Sequence, residues 1–166
     1  MTESPVHIRI ATPADAEILA DLGARTLRGT FGPDKTEAQA DYLALTFRPD
    51  VKSCALDDPD AIFLMAEVEG AAVAYAKLRI GYSPESVGGT APMEIARFYA
   101  DAPWVGRGVG KALMERCFTL AADRHCDVAW LDVWENNHRA IAFYEKWGFV
   151  MAGSQAPGWA TMRRTV

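Results

Sequence analysis

Glycines at alternating positions separate a strand-like segment from a helix-like segment in the second half of the chain. Trp104–Glu115 reads W-V-G-R-G-V-G-K-A-L-M-E, with a glycine at every second position from 106 to 110. Such glycines leave backbone N–H groups uncovered at the start of a helix, where the partial positive charge favours an anion. Arg107 and Lys111 add positive charge to the same loop. The segment therefore predicts a strand–loop–helix unit whose loop binds an anion.

The segments around this loop predict a chain of mixed α/β class. A strand at His7–Ala11 is followed by T-P-A-D, a typical helix start, and by apolar residues at helical spacing toward Arg28. The stretch Gly29–Asp34 is expected to end that helix. The remaining pattern predicts helices over about 35–47 and 51–56, a β-hairpin formed by Ile62–Val68 and Ala71–Ile80, a strand at Met93–Ala100, a helix from the glycines to about Arg124, a strand at Val128–Trp134, a helix from about Asn137 to Gly148, and two closing strands.

Two common phosphate-binding loops do not fit the glycine segment. A Walker loop, G-x-x-x-x-G-K-[S/T], would need its first glycine at Val105 and its hydroxyl residue at Ala112. A dinucleotide loop, G-x-G-x-x-G, would need its third glycine at Lys111 or at Leu113. The residues alone leave another anion, or a plain glycine turn before a helix, as the remaining interpretations.

Two motifs resemble the GCN5-related N-acetyltransferase (GNAT) family. V-G-R-G-V-G-K-A-L is similar to its pyrophosphate loop, [Q/R]-x-x-G-x-[G/A], with Val105 standing where the family has Gln or Arg. The segment Trp134–Phe149 resembles the next family motif, N-x-x-A-x-x-[F/L]-Y-x-x-x-G-F. The two motifs stand in the family's order and at its spacing. The positions that match are Gly108, Gly110, Asn137, Ala140, Phe143, Tyr144, Gly148 and Phe149.

The resemblance implies a fold, a co-substrate and a set of binding residues. It implies an α/β (α+β) GNAT fold over residues 1–166 as a single domain. The fold is a mixed central β-sheet of six to seven strands flanked by helices, and its two central parallel strands splay apart to admit acetyl-CoA. F-G-P-D and D-P-D-A-I-F-L-M-A are further similar to the polyamine-acetylating PaiA-like branch. The residues implied to hold acetyl-CoA are Phe98, Tyr99, Ala100, Val105, Gly106, Arg107, Gly108, Val109, Gly110, Lys111, Asn137, Ala140, Phe143 and Lys146.

Acetyl transfer to an amine requires a base, because an alkyl amine is protonated at neutral pH. Presenting it unprotonated costs about 4–5 kcal/mol. Glu94, on the strand before the loop, is the candidate base, acting directly or through a water. The alternative for Glu94 is an ion pair with Arg79 or Arg97, and Asp132 on the neighbouring strand is a second candidate base.

The motif match makes Tyr144 the candidate acid that protonates the departing thiolate. It lies two helical turns after Asn137, and the alternative is an ordinary packing tyrosine beside Phe143 and Trp147. The resemblance implies that a backbone N–H near Ala100 polarises the thioester carbonyl. Cys117 falls on the apolar face of its helix, so we expect direct transfer without an acyl-enzyme.

Composition restricts the remaining partners and the compartment. The net charge of −5 and pI near 5.2 argue against a nucleic-acid binder. Three cysteines without metal-ligand spacing predict no metal, no disulfide framework and a reducing compartment. No signal peptide or membrane span is read, so we expect a cytoplasmic protein. Tryptophans near the C-terminus suggest a homodimer.

The acceptor is expected to be a primary amine of a polyamine-like molecule or of a peptide. Acids that could draw a cation are Asp34, Glu37 and Glu85, although each could equally be a solvated surface charge. A non-catalytic acyl-CoA sensor on the same fold and a transferase of another acyl group remain alternatives.

Overall fold

The computed structural model describes residues 5–31 and 59–166. The helices predicted over 35–47 and 51–56, and the candidate acceptor acids Asp34 and Glu37, lie outside the described residues. The described part contains seven strands and three α-helices, which we number in chain order. They are β1 (His7–Ile10), α1 (Ala16–Phe31), β2 (Ala61–Val68), β3 (Ala71–Ile80), β4 (Pro92–Ala100), α2 (Val109–Asp123), β5 (Val128–Trp134), α3 (His138–Lys146), β6 (Val150–Gly153) and β7 (Trp159–Thr165).

The strands form one mixed sheet in the order β1-β2-β3-β4-β5-β7-β6. The central pair β4 and β5 is parallel, whereas β1 with β2, β5 with β7, and β6 with β7 are antiparallel. The parallel ladder joins Pro92–Glu94 to Val128–Trp130, at the beginning of both strands. This placement fits a splay between the two central strands farther along. The predicted mixed sheet of six to seven strands is therefore confirmed.

The chain divides into two compact units, and the division passes through β3, β4 and α2. We call Met1–Lys77 with Arg97–Arg116 the first unit, and Leu78–Ala96 with Cys117–Val166 the second unit. The single domain implied by the family resemblance stays a prediction.

The first unit contains a core cluster between α1 and the strands β2 and β3. Its fully buried members are Leu19, Leu22, Phe63, Met65 and Tyr75, with Tyr99 packed against them. The turn between β2 and β3 has positive φ at both central residues, 52° at Glu69 and 82° at Gly70. That geometry is typical of a two-residue type I′ hairpin turn, so the predicted hairpin is confirmed.

The entry into α1 is fixed by a carboxylate. Thr12 donates its backbone N–H to Asp15 (2.8 Å), and the Arg9 guanidinium donates to both oxygens of the same carboxylate at 2.8 Å. Arg9 also donates to Glu67 on β2. The helix ends at Phe31, inside the stretch Gly29–Asp34 that was expected to end it, although it continues through Gly29. A single glycine inside a helix costs only about 1 kcal/mol, which the remainder of a 16-residue helix can offset.

The second unit is built around β5, which is buried at its beginning and partly exposed toward its end. Residues 128–131 are buried, whereas Asp132 and Trp134 are exposed. Val87, in the loop between β3 and β4, forms a buried cluster with Val128 and Trp130. The Trp130 indole also donates to the Tyr82 carbonyl (2.9 Å), and this bond fixes the loop over the beginning of β5.

Candidate active site

The glycine loop lies in the first unit and leads directly into α2. Gly106 and Gly108 have φ values of +82° and +85°, in the left-handed region that non-glycine residues rarely adopt. A Cβ added to either glycine would meet no atom within 4 Å, so the space beside the loop is open. The N–H of Ala112 donates to the Gly108 carbonyl (3.1 Å). The amides at positions 109–111 come before any helical acceptor and point out of the helix start, where an anion is favoured.

Side chains of the loop fall into two groups. Val109 is buried and anchors the first turn of α2, whereas Arg107 and Lys111 are exposed. The Arg107 guanidinium stacks 4.5 Å from the centre of the Trp104 ring, a cation–π contact that limits the motion of this cation. Val105 is half-buried after a short 3-10 turn over Ala102–Trp104. This loop therefore offers amides and two cations to an anionic group, without the side chain that the family usually has at position 105.

Two caps fix the position of Tyr144 on α3 in the second unit. At the helix start, the Asn137 side-chain oxygen accepts from the Ala140 N–H (3.2 Å), so Asn137 is an N-cap. At the helix end, Gly148 has a φ of +90°, its N–H donates to Glu145, and the Phe149 N–H donates to the Tyr144 carbonyl (3.1 Å). This pair of bonds is a Schellman motif, which holds the last turn of the helix and with it Tyr144.

Aromatic rings surround Tyr144 on the same helix and after it. Its ring centre lies 5.6 Å from that of Phe143 and 5.9 Å from that of Phe149, both edge-on. Tyr144 is 8% exposed, and Phe143 is half-buried. Tyr144 is therefore a packing residue on a capped helix, and its role as an acid stays a proposal. Ala140 and Lys146 lie on the same helix, half-buried and exposed respectively.

Glu94 is half-buried on β4, with its side chain 15% exposed, and it faces the Arg79 guanidinium at 3.6 Å. The ion pair that the sequence suggested as an alternative is therefore present. A carboxylate paired with a largely exposed arginine keeps access to solvent, so the pair is compatible with either a structural or a proton-accepting role. The role as a base stays a proposal.

In the second unit, the register of the sheet places Glu94 on one face and helix α3 on the opposite face. Glu94 pairs with Trp130 across the parallel ladder, and directly paired residues share a face of the sheet. Ala129, the neighbour of Trp130, pairs with Arg164 on β7. The Arg164 guanidinium lies 4.1 Å from the Phe118 ring of α2, and its side chain runs beside Gly148 at the end of α3. The helices thus cover the Ala129 face, and Glu94 lies on the other.

The other predicted residues have clear places. Tyr99 packs its ring 6.0 Å from that of Tyr75 in the core of the first unit, and Phe98 and Ala100 are half-buried beside it on β4. Asp132 accepts hydrogen bonds from Thr161 (2.6 Å) and Gln155 (2.7 Å), which gives it a structural role beside any proton transfer.

Cys117 is fully buried, and burial raises the pKa of its thiol to about 12. A thiol of this kind is inert at neutral pH, which agrees with its expected place in the core.

A pair of exposed aromatic side chains was not predicted as part of a site. Trp134 and Trp159 face each other across the β5–β7 ladder with ring centres 5.5 Å apart, and they remain 40% and 37% exposed. The sequence contains both residues but gives no signal of their contact, because strand pairing alone brings them together.

None of the helices in residues 5–31 and 59–166 combines the length and apolar character needed to cross a membrane. The same residues hold no group of three or more His, Cys, Asp or Glu side chains arranged to bind a metal ion. The expected lack of a metal, of nucleic-acid and of membrane partners, the homodimer and the cytoplasmic location stay predictions.

Comparison with known sequences identifies the family. The profile of the acetyltransferase (GNAT) family matches residues 24–149. An N-acetyltransferase in the pepI 3′ region of Lactobacillus delbrueckii subsp. lactis, itself uncharacterized, is 30% identical over 128 residues, which cover 76% of this chain and 74% of the relative. An uncharacterized N-acetyltransferase of Mycobacterium bovis is 30% identical over 145 residues, covering 85% of this chain and 86% of the relative.

Comparison with solved structures gives the same fold. The PaiA N-acetyltransferase of Thermoplasma acidophilum in complex with coenzyme A has a TM-score of 0.85 at 17% identity, covering 98% of this chain and 99% of that one. A GCN5-related N-acetyltransferase of Rhodopseudomonas palustris has a TM-score of 0.72 at 22% identity, covering 100% and 99%. The GNAT fold and the N-acetyltransferase class predicted from the two motifs are confirmed, whereas the narrower resemblance to the PaiA-like branch stays a prediction. The chain belongs to the acetyltransferase (GNAT) family.

Proposed function

We propose that this protein transfers the acetyl group of acetyl-CoA directly to a primary amine of a polyamine-like small molecule or of a peptide. The observation that carries the proposal is the division of two candidate proton-transfer groups between opposite sides of the sheet. Glu94 lies on one face, and α3 with Tyr144 belongs to the other. Such a division suits a reaction in which the amine and the thiolate lie on opposite sides of the carbonyl carbon.

The donor side of the proposal rests on the glycine loop and α3. The amides from Gly106 to Lys111 suit the pyrophosphate of coenzyme A together with the two loop cations, apart from the Arg107 amide, which donates to the Trp104 carbonyl (3.4 Å). Open space beside Gly106 and Gly108 leaves room for a close backbone approach. Asn137 uses its oxygen as a cap, which leaves its amide N–H groups as the donors suited to the pantetheine arm. Val105 at the family's Gln or Arg position removes one polar contact, so the backbone carries more of the binding.

The chemical step assigns one proton to each candidate group. Glu94, directly or through a water, takes the proton of the ammonium, and the free amine then attacks the thioester carbonyl carbon. A backbone N–H near Ala100 stabilises the negative charge on the carbonyl oxygen. The new C–N bond forms, the C–S bond breaks, and Tyr144 donates a proton to the departing sulfur. The attacking nitrogen then releases its second proton to solvent, from which the Tyr144 phenolate regains a proton. Cys117 is buried with a raised thiol pKa, which supports a route without an acyl-enzyme.

A CoA-release assay tests the proposal. Acetyl-CoA is incubated with the protein and a panel of polyamines, aminoglycosides, amino acids and peptides, and free thiol is measured against a buffer blank. We expect at least one amine to release CoA above the blank. If no amine does so while acetyl-CoA binds tightly, the protein is a sensor of acyl-CoA and not an enzyme. A higher rate with propionyl-CoA than with acetyl-CoA would instead identify a different acyl group as the substrate.

A further inference from the structure

The face of the sheet that carries Glu94 also carries an exposed patch at the end of β5. The β5–β7 register is regular from Val128 to Trp134, so Trp130, Asp132 and Trp134 share one face with their partners on β7. The loop between β3 and β4 covers the beginning of this face through Val87 and Tyr82. The end of the same face, at Asp132, Trp134 and Trp159, is open.

The patch is held in a fixed arrangement. Gly158 has a φ of +85° and lies so close to Trp134 that an added Cβ would be 2.7 Å from the ring. The Gly158 carbonyl also accepts from the Glu135 N–H (2.9 Å). The Asp132 carboxylate is fixed by Thr161 and Gln155, each bound to a different oxygen. A carboxylate oxygen can accept more than one hydrogen bond, so Asp132 retains capacity for a ligand.

The chemistry of the patch suits an organic cation. Tryptophan is the strongest aromatic partner for a cation, and here two indoles lie beside a carboxylate that is already ordered. Glu135, directly after Trp134, adds a second negative charge at this end of the strand. Arg163 shares the same face but pairs with Trp130, at the covered end. Charge and aromatic character therefore both favour a positive group at the open end.

We propose that Asp132, Trp134 and Trp159 form a subsite for a second positive charge of the acceptor amine. The inference rests on the proposed function, since it takes Glu94 as the place where the reacting amine loses its proton. Trp130 is level with Glu94, and strands rise roughly 3.3 Å per residue, so Asp132 and Trp134 lie roughly 7 and 13 Å farther along β5. The subsite therefore selects acceptors whose second ammonium lies on the order of 10 Å from the reacting nitrogen.

Three amines test separately the length of the acceptor and its second positive charge. 1,8-Diaminooctane can reach the subsite, 1,3-diaminopropane carries both charges but is too short, and octylamine has the length without the second charge. We expect kcat/KM for 1,8-diaminooctane to exceed that of the other two by about tenfold. Asp132→Asn and Trp134→Leu should each reduce this preference to about twofold. Asp123→Asn, which makes the same charge change on the exposed end of α2, should leave the preference intact.

Binding without chemistry separates this inference from the proposed function. The protein is titrated with the same three amines in the absence of acetyl-CoA, and binding is followed by tryptophan fluorescence. If Trp134→Leu has a lowered melting temperature, Trp134→Phe replaces it in these experiments. Selective, saturable binding of 1,8-diaminooctane that Asp132→Asn abolishes supports the subsite, even if no amine is acetylated. The subsite would be overturned if octylamine were acetylated as fast as 1,8-diaminooctane and if Asp132→Asn and Asp123→Asn had the same preference between these amines. That result would leave the acetyltransferase proposal intact.

Discussion

Replacing Gly108 by alanine is expected to weaken acetyl-CoA binding without unfolding the protein. Gly108 has a φ of +85°, and nothing lies within 4 Å of an added Cβ, so the substitution creates no clash. The cost is the left-handed backbone conformation alone, about 1–2 kcal/mol for a residue with a side chain. Because position 108 is exposed, the free loop can relax to another conformation. Binding must then restore the original one, and the cost is expected in the dissociation constant.

This cost corresponds to a roughly 5- to 30-fold higher Kd for acetyl-CoA. Titration calorimetry measures the Kd, and differential scanning fluorimetry measures the melting temperature, which should barely change. Gly88→Ala is the matched control, since Gly88 has a φ of +71° with open space around it but lies in the loop between β3 and β4. An unchanged Kd for Gly108→Ala, or an equal rise in Gly88→Ala, would refute the assignment of the glycine loop as the pyrophosphate site.

Further predictions concern the base, the thiol and the acid stability. Glu94→Gln should lower kcat/KM by roughly 10²- to 10⁴-fold with little change in the acetyl-CoA Kd, and unchanged turnover would reduce Glu94 to an ion-pair partner. Cys117→Ala should keep kcat within about twofold, and mass spectrometry of the protein with acetyl-CoA alone should find no acetylated cysteine. Hydrogen bonds from Arg9 lower the pKa of Asp15 to about 2 from an ordinary value of 3.8. The resulting stability is present above pH 3.8 and is lost as the pH falls toward 2. Because Arg9 is partly exposed, the free energy of unfolding falls by only about 1 kcal/mol over this pH range. In Asp15→Asn, acid denaturation should not show this decrease.

Local patterns in the sequence predict most of the described elements. The β5 run and the hairpin with its Glu69-Gly70 turn were predicted at or within one residue of their bounds, because buried strands and tight turns have strong local signatures. The end of α1 was predicted only as the stretch Gly29–Asp34, and the helix ends within it at Phe31 because it tolerates Gly29. Helix ends depend on tertiary contacts as well as on local composition.

The candidate site was predictable where it follows a motif and not where it depends on strand pairing. The positive φ values at Gly106 and Gly108, and the caps of α3, follow from glycine and asparagine at specific positions. The ion pair between Glu94 and Arg79 needed the structure. The contact between Trp134 and Trp159, 25 residues apart in sequence, exists only through the β5–β7 register.

The rate of acetyl transfer by Tyr144→Phe tests whether Tyr144 protonates the departing thiolate of coenzyme A. With an amine that the CoA-release panel identifies, kcat is measured at saturating acetyl-CoA, the acetylated amine is identified by mass spectrometry, and the acetyl-CoA Kd is measured separately. We expect the wild-type protein to give an acetylated product. In the variant we expect kcat to fall by roughly 10²-fold or more, while the Kd for acetyl-CoA stays within about twofold. An unchanged kcat would remove Tyr144 from the role of acid and contradict the proposed mechanism.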